Sequence, residues 1–346
     1  MRAIQINGPD QAEMIDVVIP SPGPDEVLVR SHAVSLDASD ADLYRGTRPA
    51  GFSHYPIIPG HAWAGEVVAP GELVDGIAAG DRVVVESLLY CGKCRSCSRN
   101  ETDLCERGYN ELGFTHSGGL AEYVVVPAQA VHALLSTTPF DEATLLASSA
   151  VVAHAFLHAR LLPGDSVAIV GDDTVSLLAV QIAHLFSPAS IAMIGFREDR
   201  LALGRTLGAT HTINASRDDS QTLVRSLSRG RGADLTFEGT AHAQAAVEAM
   251  LLARRGGTVL LTGTVGSNAL LSVESDIFVR NQLNVLGIFG ANAASWNYVL
   301  HLYRVGLLTL APLISHRFPL DEYQDALDTL TSRQGQMLRL VVNVVE

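Results

Sequence analysis

The chain has 346 residues, 47% of them hydrophobic, which is enough for two domains with separate cores. Its formal net charge of -13 argues against a nucleic-acid or acidic-membrane partner, because either would require a basic surface. The N-terminus lacks the charged-then-apolar pattern of a secretion signal, and no stretch approaches the roughly 18 uninterrupted apolar residues of a membrane-spanning helix. We therefore expect a soluble, cytoplasmic protein that acts on a small molecule.

The N-terminal third predicts a small β-rich domain. Strands are expected at 1–6, 14–19 and 26–34, with three prolines breaking the chain before the third strand. Short apolar runs at 65–69 and 83–86 follow turns rich in glycine and proline. Together these runs are typical of a small β-barrel.

The four cysteines form the most specific motif in the chain. They are spaced C-x2-C-x2-C-x7-C and comprise Cys91, Cys94, Cys97 and Cys105. Four thiolates satisfy the tetrahedral preference of zinc and leave no open position for water, so the motif predicts one structural zinc ion per chain. An iron–sulfur cluster and reduced free thiols are the alternatives. The loop between the cysteines is cationic, which suits a tetrathiolate of net negative charge and favours zinc.

Residues 165–201 predict a strand, a helix and a second strand, the unit from which doubly wound, dinucleotide-binding sheets are built. Ser166–Val170 has the apolar run of a buried parallel strand, and it is followed by a glycine. Residues 174–186 carry apolar side chains at helical spacing, and 191–194 is a second short apolar run. A nucleotide cofactor is therefore the first hypothesis for this part of the chain.

The segment that follows extends the same pattern. Residues 233–238 and 258–262 predict two further parallel strands, joined by a helix that Gly256 and Gly257 end. These strands would enlarge the doubly wound sheet.

The turn after the predicted strand Ser166–Val170 departs from the G-x-G-x-x-G fingerprint of dinucleotide binding. Its six residues are GDDTVS, so Gly171 is the only glycine kept, and Asp172 and Asp173 stand near the expected pyrophosphate. Thr174 and Val175 complete the predicted cofactor-binding turn. The short polar side chains can also simply cap the helix. Since the carboxylates oppose the pyrophosphate and the helix N-terminus favours it, dinucleotide binding stays open.

The end of the predicted strand at 191–194 indicates which dinucleotide the chain binds. NAD-binding folds usually carry an acidic residue there for the ribose hydroxyls, whereas an arginine accommodates the 2′-phosphate of NADP. Here the chain has Gly195, Phe196 and Arg197, with no acid. The sequence therefore predicts NADP(H), although Arg197 could also be an ordinary surface arginine.

Six segments spread along the chain match one known family. They are PGHAWAGEVV at 59–68, GDRVVVE at 80–86, the four-cysteine lobe, GGLAEYVVVP at 118–127, LGATHTIN at 207–214 and APLISHRFPLDEYQDAL at 311–327. With these motifs the chain resembles the zinc-containing medium-chain alcohol dehydrogenases over its whole length.

The resemblance implies an α/β protein with a GroES-like, β-rich catalytic domain and a doubly wound parallel-sheet (Rossmann) nucleotide domain. The catalytic domain would comprise residues 1–148 and 290–346, and the nucleotide domain 149–289. A homodimer or homotetramer is also implied. TGTVGSN at 262–268 resembles the family's loop beside the nicotinamide. Arg339 lies near a basic position that the family uses on the cofactor, with a core-flanking arginine as the equal alternative.

The departures from the family fall at its catalytic zinc, which members bind through a Cys, a His and a further Cys or Glu. Asp37 stands in the Cys position, His61 keeps the His, and Ala147 occupies the third position. Because a catalytic zinc generally needs three protein ligands, we predict that this ion is absent. A rescue in which Glu66 or Asp40 supplies the missing ligand is the alternative.

An acidic segment could supply the proton that the zinc site would otherwise control. Asp37, Asp40 and Asp42 would repel one another, so that one of them would have a raised pKa and could donate a proton near neutrality. By resemblance, Ser39 matches the hydroxyl that contacts the substrate oxygen, and Asp42 replaces a proton-relaying His. The same residues can instead form an ordinary helix start with an acidic first turn, and His61 can be a packing residue.

Three functions follow from these residues. The favoured one is an NADPH-dependent reductase that delivers hydride to a ketone, enone or imine of a small organic molecule, with a protein acid in place of zinc. The second is a zinc-dependent alcohol dehydrogenase in which Asp37 and His61 still bind the metal. The third is a non-redox family member that catalyses a cyclisation or elimination, or only binds in the cleft, as the altered GDDTVS turn suggests.

Overall fold

The computed structural model describes residues 1–263, 269–332 and 337–345. The chain divides into two compact units, Met1–Ala147 with Leu310–Glu346 and Ser148–Thr309. The first break lies next to the predicted boundary at 148. The second lies beyond the predicted 290, because the helix at Ala293–Arg304 belongs to the second unit. Most of the predicted nicotinamide loop at 262–268 lies outside the described residues.

The strands and helices have the following bounds in chain order. The strands are β1 (Arg2–Gly8), β2 (Gln11–Asp16), β3 (Glu26–Leu36), β4 (Ala62–Pro70), β5 (Arg82–Val85), β6 (Tyr123–Pro127), β7 (Val131–Ala133), β8 (Ser166–Val170), β9 (Ser190–Gly195), β10 (His211–Asn214), β11 (Ala233–Glu238), β12 (Ala253–Leu261), β13 (Asn284–Gly287), β14 (Ile314–Pro319) and β15 (Arg339–Asn343). The helices are α1 (Ala38–Arg45), α2 (Phe140–Ala143), α3 (Leu146–His158), α4 (Thr174–His184), α5 (Glu198–Thr206), α6 (Ser220–Leu227), α7 (Ala243–Leu252), α8 (Asp276–Asn281), α9 (Ala293–Arg304) and α10 (Tyr323–Ser332).

The first unit is β-rich, as predicted. Its main sheet has seven strands in the order β14-β15-β3-β4-β5-β7, with β6 also paired to β3, and β1 and β2 form a separate antiparallel hairpin. The last segment of the chain thus returns to the first unit, where β15 pairs antiparallel with β3. The core beneath the sheet includes Val29, Val34, Leu36 and Trp63, none of them more than 2% exposed. This core fixes the end of β3, where α1 begins.

The second unit contains the predicted doubly wound sheet. Its six strands are parallel in the order β10-β9-β8-β11-β12-β13, and β8 is the strand at which the chain order reverses. Every residue of β8 and β9 is buried, as in the central strands of a sheet covered on both faces. Ligands of such sheets bind outside the carboxyl ends of the strands at the reversal point, which places the GDDTVS turn at the expected binding position.

One apolar stretch, Phe140–His158, is long and apolar enough by composition to cross a membrane. In the structure 61% of it is buried inside the protein, which is typical of a core helix.

Candidate functional site

Two of the predicted catalytic residues form the start of α1. Asp37 is the N-cap, and its Oδ1 accepts a hydrogen bond of 2.8 Å from the backbone amide of Ser39. Asp40 completes a capping box, since its Oδ2 accepts a bond of 3.0 Å from the amide of Asp37. The helix-start interpretation of these residues is therefore confirmed. The capping bonds also hold both carboxylates in fixed positions.

A chain of alternating charges extends from this helix start. The Asp37 Oδ2 atom lies 2.6 Å from Nη1 of Arg339 and 3.6 Å from Nε2 of His61. The other ring nitrogen of His61, Nδ1, lies 3.3 Å from Oδ2 of Asp40. Arg339 and Asp40 are each 2% exposed, whereas the side chain of Asp37 keeps 27% and that of His61 13%. With His61 protonated, the two cations balance the two carboxylates.

The surroundings favour that charge state. Burial alone would lower the pKa of His61, but the carboxylates of Asp40 and Asp37 outweigh the burial and raise the pKa to about 9. Burial would also raise the pKa of Asp37, but the charges of His61 and Arg339 hold it well below its usual range. These neighbouring charges favour the imidazolium form of His61 and the carboxylate form of Asp37.

A second layer of side chains surrounds His61. The ring centroids of Phe114 and His61 are 5.0 Å apart. The guanidinium of Arg48 lies over the Phe114 ring, 3.6 Å from its centroid. Arg48 donates to the hydroxyl of Tyr109 at 2.9 Å, and that hydroxyl donates to Glu111. Burial, followed by the charge of Glu111, raises the pKa of Tyr109 above its usual range. The sequence did not predict this layer, because no metal-like or catalytic spacing links its members.

The remaining predicted catalytic residues have other contacts. Ser39 lies beside Asp37 through its backbone amide. The carboxylate of Asp42 accepts a hydrogen bond of 3.0 Å from the hydroxyl of Thr47, at the C-terminal end of α1. The structure thus brings Asp37 and His61 together, adds Asp40, and engages Asp42 elsewhere on the helix. The roles of Ser39 and Asp42 in a reaction stay predictions.

Arg339 comes to the site from the last strand. Its guanidinium is buried against Asp37, as the core-arginine interpretation expects. A contact of Arg339 with the cofactor stays a prediction. The fit of a catalytic zinc is poor, although one donor atom each from Asp37, Asp40 and His61 lies within 4.8 Å of the others. Asp37 and Asp40 are already neutralised by Arg339 and the imidazolium, and both serve as caps.

The four-cysteine lobe fits a metal ion well. The sulfur atoms all lie within 4.8 Å of one another, and the four cysteines form no disulfide. The backbone amides of Cys91, Cys94 and Cys97 point at neighbouring sulfur atoms at 3.4 to 3.5 Å. Amide donors stabilise thiolates, which are the form that binds zinc. The donor set and the spacing match a closed structural zinc site.

The GDDTVS turn keeps two local backbone features of a dinucleotide-binding turn. Gly171 has φ of 131°, a value that favours glycine, and α4 starts three residues later at Thr174. Asp173 is the N-cap of α4 and accepts a bond of 2.8 Å from the amide of Ser176, as the capping alternative predicts. Thr174 is buried and Val175 is partly exposed. The helix N-terminus is thus present, with one of its free amides already bonded.

The end of β9 is occupied by a side chain from this turn. The Oδ2 atom of Asp172 accepts hydrogen bonds from the amides of Phe196 and Arg197 at 2.7 and 2.8 Å. Gly195 precedes them, and the side chain of Arg197 donates to Asp199 at 3.0 Å. The predicted cofactor residues that follow β8 and β9 therefore lie together at one edge of the sheet.

Comparison with known proteins identifies the family. Residues 23–136 match the model of the alcohol dehydrogenase GroES-like domain, and residues 174–304 match that of the zinc-binding dehydrogenases. The erythritol/L-threitol dehydrogenase of Mycolicibacterium smegmatis is 32% identical over 96% of this chain and 94% of its own. The chain belongs to the zinc-type medium-chain alcohol dehydrogenase family. The L-threonine 3-dehydrogenase of Symbiobacterium thermophilum, 33% identical over 99% of this chain and 97% of its own, supports the same assignment.

Solved structures of this dehydrogenase family share the fold. A zinc-binding dehydrogenase from Sinorhizobium meliloti, bound to NADP, is similar with a TM-score of 0.90 at 27% identity, covering 99% of each chain. An alcohol dehydrogenase from Escherichia coli, complexed with NADH, has a TM-score of 0.89 at 26% identity, again over 99% of each chain. The predictions of an oxidoreductase and of its two-part α/β fold are thus confirmed. The two neighbours hold different dinucleotides, so the family alone does not decide the cofactor.

Proposed function

We propose that this dehydrogenase reduces the carbonyl or imine carbon of a small molecule without a catalytic zinc, using a nicotinamide dinucleotide as the hydride donor. The observation that carries the proposal is the buried guanidinium of Arg339, 2.6 Å from the carboxylate that replaces the first zinc ligand. Arg339 supplies the positive charge that the metal would otherwise bring to Asp37. The site is thereby neutral when His61 is protonated.

His61 is the proton donor in this proposal. Its Nδ1 faces Asp40, which sets the orientation of the ring, much as the carboxylate of a catalytic triad orients its histidine. Its Nε2 lies 3.6 Å from Asp37, too far for a good hydrogen bond. The proton on Nε2 can therefore be transferred to a substrate oxygen or nitrogen. A bound nicotinamide would supply the hydride to the substrate carbon. His61 would transfer the proton on Nε2 to the substrate oxygen or nitrogen, and solvent would later restore that proton.

Asp37 and Arg339 are positioning residues. Asp37 keeps His61 charged before the transfer, and Arg339 keeps Asp37 ionised in a partly buried setting. The pKa of His61, raised to about 9, holds the proton at physiological pH and matches an acid that protonates a developing alkoxide, enolate or amine.

Several further assignments belong to the proposal. One structural zinc per chain is held by the four cysteines. Named relatives act on erythritol or threitol and on threonine, which supports a small polar alcohol and its ketone as the substrate pair. One neighbour is solved with NADP and another with NADH, which supports a nicotinamide dinucleotide of either kind, so the NADP(H) preference stays a prediction of the sequence. A cytoplasmic homodimer or homotetramer remains the expectation.

Metal analysis and pH profiles test this function together. Purified protein is expected to contain one zinc per chain, and the rate of carbonyl reduction should fall as the pH rises through about 9. Erythrulose, related small ketones and the alcohols named by the relatives form the substrate panel. His61→Gln should abolish the pH dependence and most of the rate. Two zinc ions per chain, or an unchanged pH profile in the variant, would contradict the proposal.

The second candidate is the zinc-dependent dehydrogenase. The cluster of Asp37, Asp40 and His61 within 4.8 Å is the observation in its favour. A second zinc that is lost on Asp37→Asn exchange, with the cysteine-bound ion retained, would establish this candidate instead.

A further inference from the structure

The side chain of Asp172 reaches from one strand end to the next. It follows β8 in the chain, yet its Oδ2 binds the two amides that follow β9, those of Phe196 and Arg197, at 2.7 and 2.8 Å. On its other side Oδ1 lies 3.6 Å from Nη1 of Arg200, which is only 4% exposed. The Asp172 side chain is itself 14% exposed. Its carboxylate is therefore held in a fixed place at the carboxyl end of β9.

Gly195 is explained by this side chain. A Cβ atom added at Gly195 would lie 2.6 Å from Cβ and 2.7 Å from Oδ2 of Asp172, closer than real Cβ contacts allow. The missing acid at the end of β9 thus does not indicate a pocket for a phosphate. The carboxylate is present, but it is delivered by the neighbouring turn.

The backbone amides that could bind a 2′-phosphate are engaged. The amides after β9 are bonded to Asp172, and Arg200 lies against the same carboxylate. Arg197 is ion-paired with Asp199 at 3.0 Å, in an exposed contact that contributes little by itself. A phosphate placed here would meet a fixed negative charge, and its own charge is about -1.5 to -2 at neutral pH.

We infer that Asp172 determines the cofactor specificity of this chain. Its carboxylate accepts hydrogen bonds from the ribose hydroxyls of NAD(H) and repels the 2′-phosphate of NADP(H). The inference rests on the proposed use of a nicotinamide dinucleotide, and it reverses the preference that the sequence predicted. Oδ1 keeps lone pairs that a ribose hydroxyl can use, because its nearest cation is 3.6 Å away. NAD-binding folds use a carboxylate at this strand end for the same hydroxyls.

Two pairs of ligands test the inference. The dissociation constants of NADH and NADPH are measured by nicotinamide fluorescence, and those of ADP-ribose and its 2′-phosphorylated form by calorimetry. The wild type should bind the unphosphorylated member of each pair at least about tenfold more tightly, as expected for a repelled phosphate in a partly buried site. Asp172→Asn keeps an oxygen for the two amides and removes the charge, so the preference should fall below about threefold.

Asp173→Asn is the matched control, since it removes the same charge one residue away. It should change the affinity for both members of a pair by the same factor, because the carboxylate of Asp173 caps α4 through the amide of Ser176, whereas that of Asp172 binds the amides after β9. Thermal unfolding checks that each variant is folded, and Asp172→Ser provides a second variant if Asp172→Asn is not.

Three results would overturn the inference: a wild type that binds the phosphorylated ligands as tightly, a preference that Asp172→Asn leaves unchanged, or no binding of either ADP-ribose by any variant. The ADP-ribose ligands carry no hydride. Their result therefore stands if the metal analysis or the pH profile contradicts the proposed reduction, and the two failures can be told apart.

Discussion

Replacement of Arg339 by methionine is expected to destabilise the first unit strongly. The change keeps much of the buried side-chain volume and removes the cation 2.6 Å from Asp37. Two cations then no longer balance two carboxylates, and one negative charge is left over in a site where Arg339 was 2% and Asp40 is 2% exposed. Removing one member of a buried pair costs about 3–5 kcal/mol.

The expected loss of unfolding free energy in Arg339→Met lies near the lower limit of this range, at about 3 kcal/mol. Asp37 keeps 27% exposure and still faces His61, so water and the imidazolium compensate part of the loss. A loss of about 3 kcal/mol corresponds to a fall in Tm of roughly 6–12 °C for a domain of this size. Scanning calorimetry of wild type and Arg339→Met gives this difference directly, and it resolves separate transitions if the two units unfold separately.

The pH dependence has a defined sign. Asp37 has a depressed pKa in the folded chain, so its stabilising contribution is present above its ordinary pKa and is lost as the pH falls. The difference between wild type and Arg339→Met should therefore be largest near neutral pH and shrink in acid. His61 has a raised pKa, so its contribution is complete below its ordinary pKa and disappears as the pH rises through about 9.

Two further variants separate charge balance from packing. Arg317→Met removes an arginine that binds Asp141 at 2.7 Å in the same unit, but that arginine is 47% exposed, so its loss should cost less than about 1 kcal/mol. The double variant Asp37→Asn/Arg339→Met removes both charges and should recover at least half of the lost stability. A similar Tm for the two arginine variants, or no recovery in the double variant, would refute the charge-balance explanation.

Three other outcomes are expected. His61→Gln should lower the reduction rate by about 10²-fold or more, the usual contribution of a general acid. The dissociation constant of the dinucleotide should change by less than roughly twofold, and an equally large loss of cofactor binding would argue against proton donation. Cys97→Ser should lose the single zinc in metal analysis and lower Tm, because structural zinc binding is folding free energy; retention of zinc would place the ion elsewhere. Gly195→Ala should destabilise the second unit by about 1–3 kcal/mol, because the added Cβ would lie 2.6 Å from Cβ of Asp172. Asp172→Gly in the same chain removes that Cβ and should relieve much of the loss, whereas a tolerated single exchange would contradict the described packing.

The sequence predicted most of the fold, because periodicity and motif spacing are local signals. The six-stranded parallel sheet, the β-rich first unit and the cysteine cluster all lie where the patterns place them. Local signals also misled in places. Gly256 and Gly257 are predicted to end a helix, but α7 ends at Leu252 and both glycines lie inside β12. They fall at the register shift between the pairs Ala253–Ala233 and Thr258–Leu235, where an irregularity in the strand suits glycine.

The decisive contacts of the site could not be predicted in the same way. Asp37 and Arg339 are separated by 302 positions, and nothing in either neighbourhood marks the other as its partner. The bond of Asp172 to Phe196 likewise depends on the distance between two strand ends. The resemblance indicated that two zinc ligands are replaced, but the sequence could not show that Arg339 lies against Asp37. Gly195 likewise lies against Asp172, a side chain from the turn after β8, and no local pattern around Gly195 indicates that neighbour.

The position of β15 between β14 and β3 has a consequence for synthesis of the protein. A ribosome makes α1 long before Arg339, so the nascent chain first holds an acidic helix start whose counter-charge does not yet exist. The central sheet stays open beside β3 until β15 emerges. Emergence of β15 is then the step at which the sheet closes beside β3 and Asp37 gains its cationic partner.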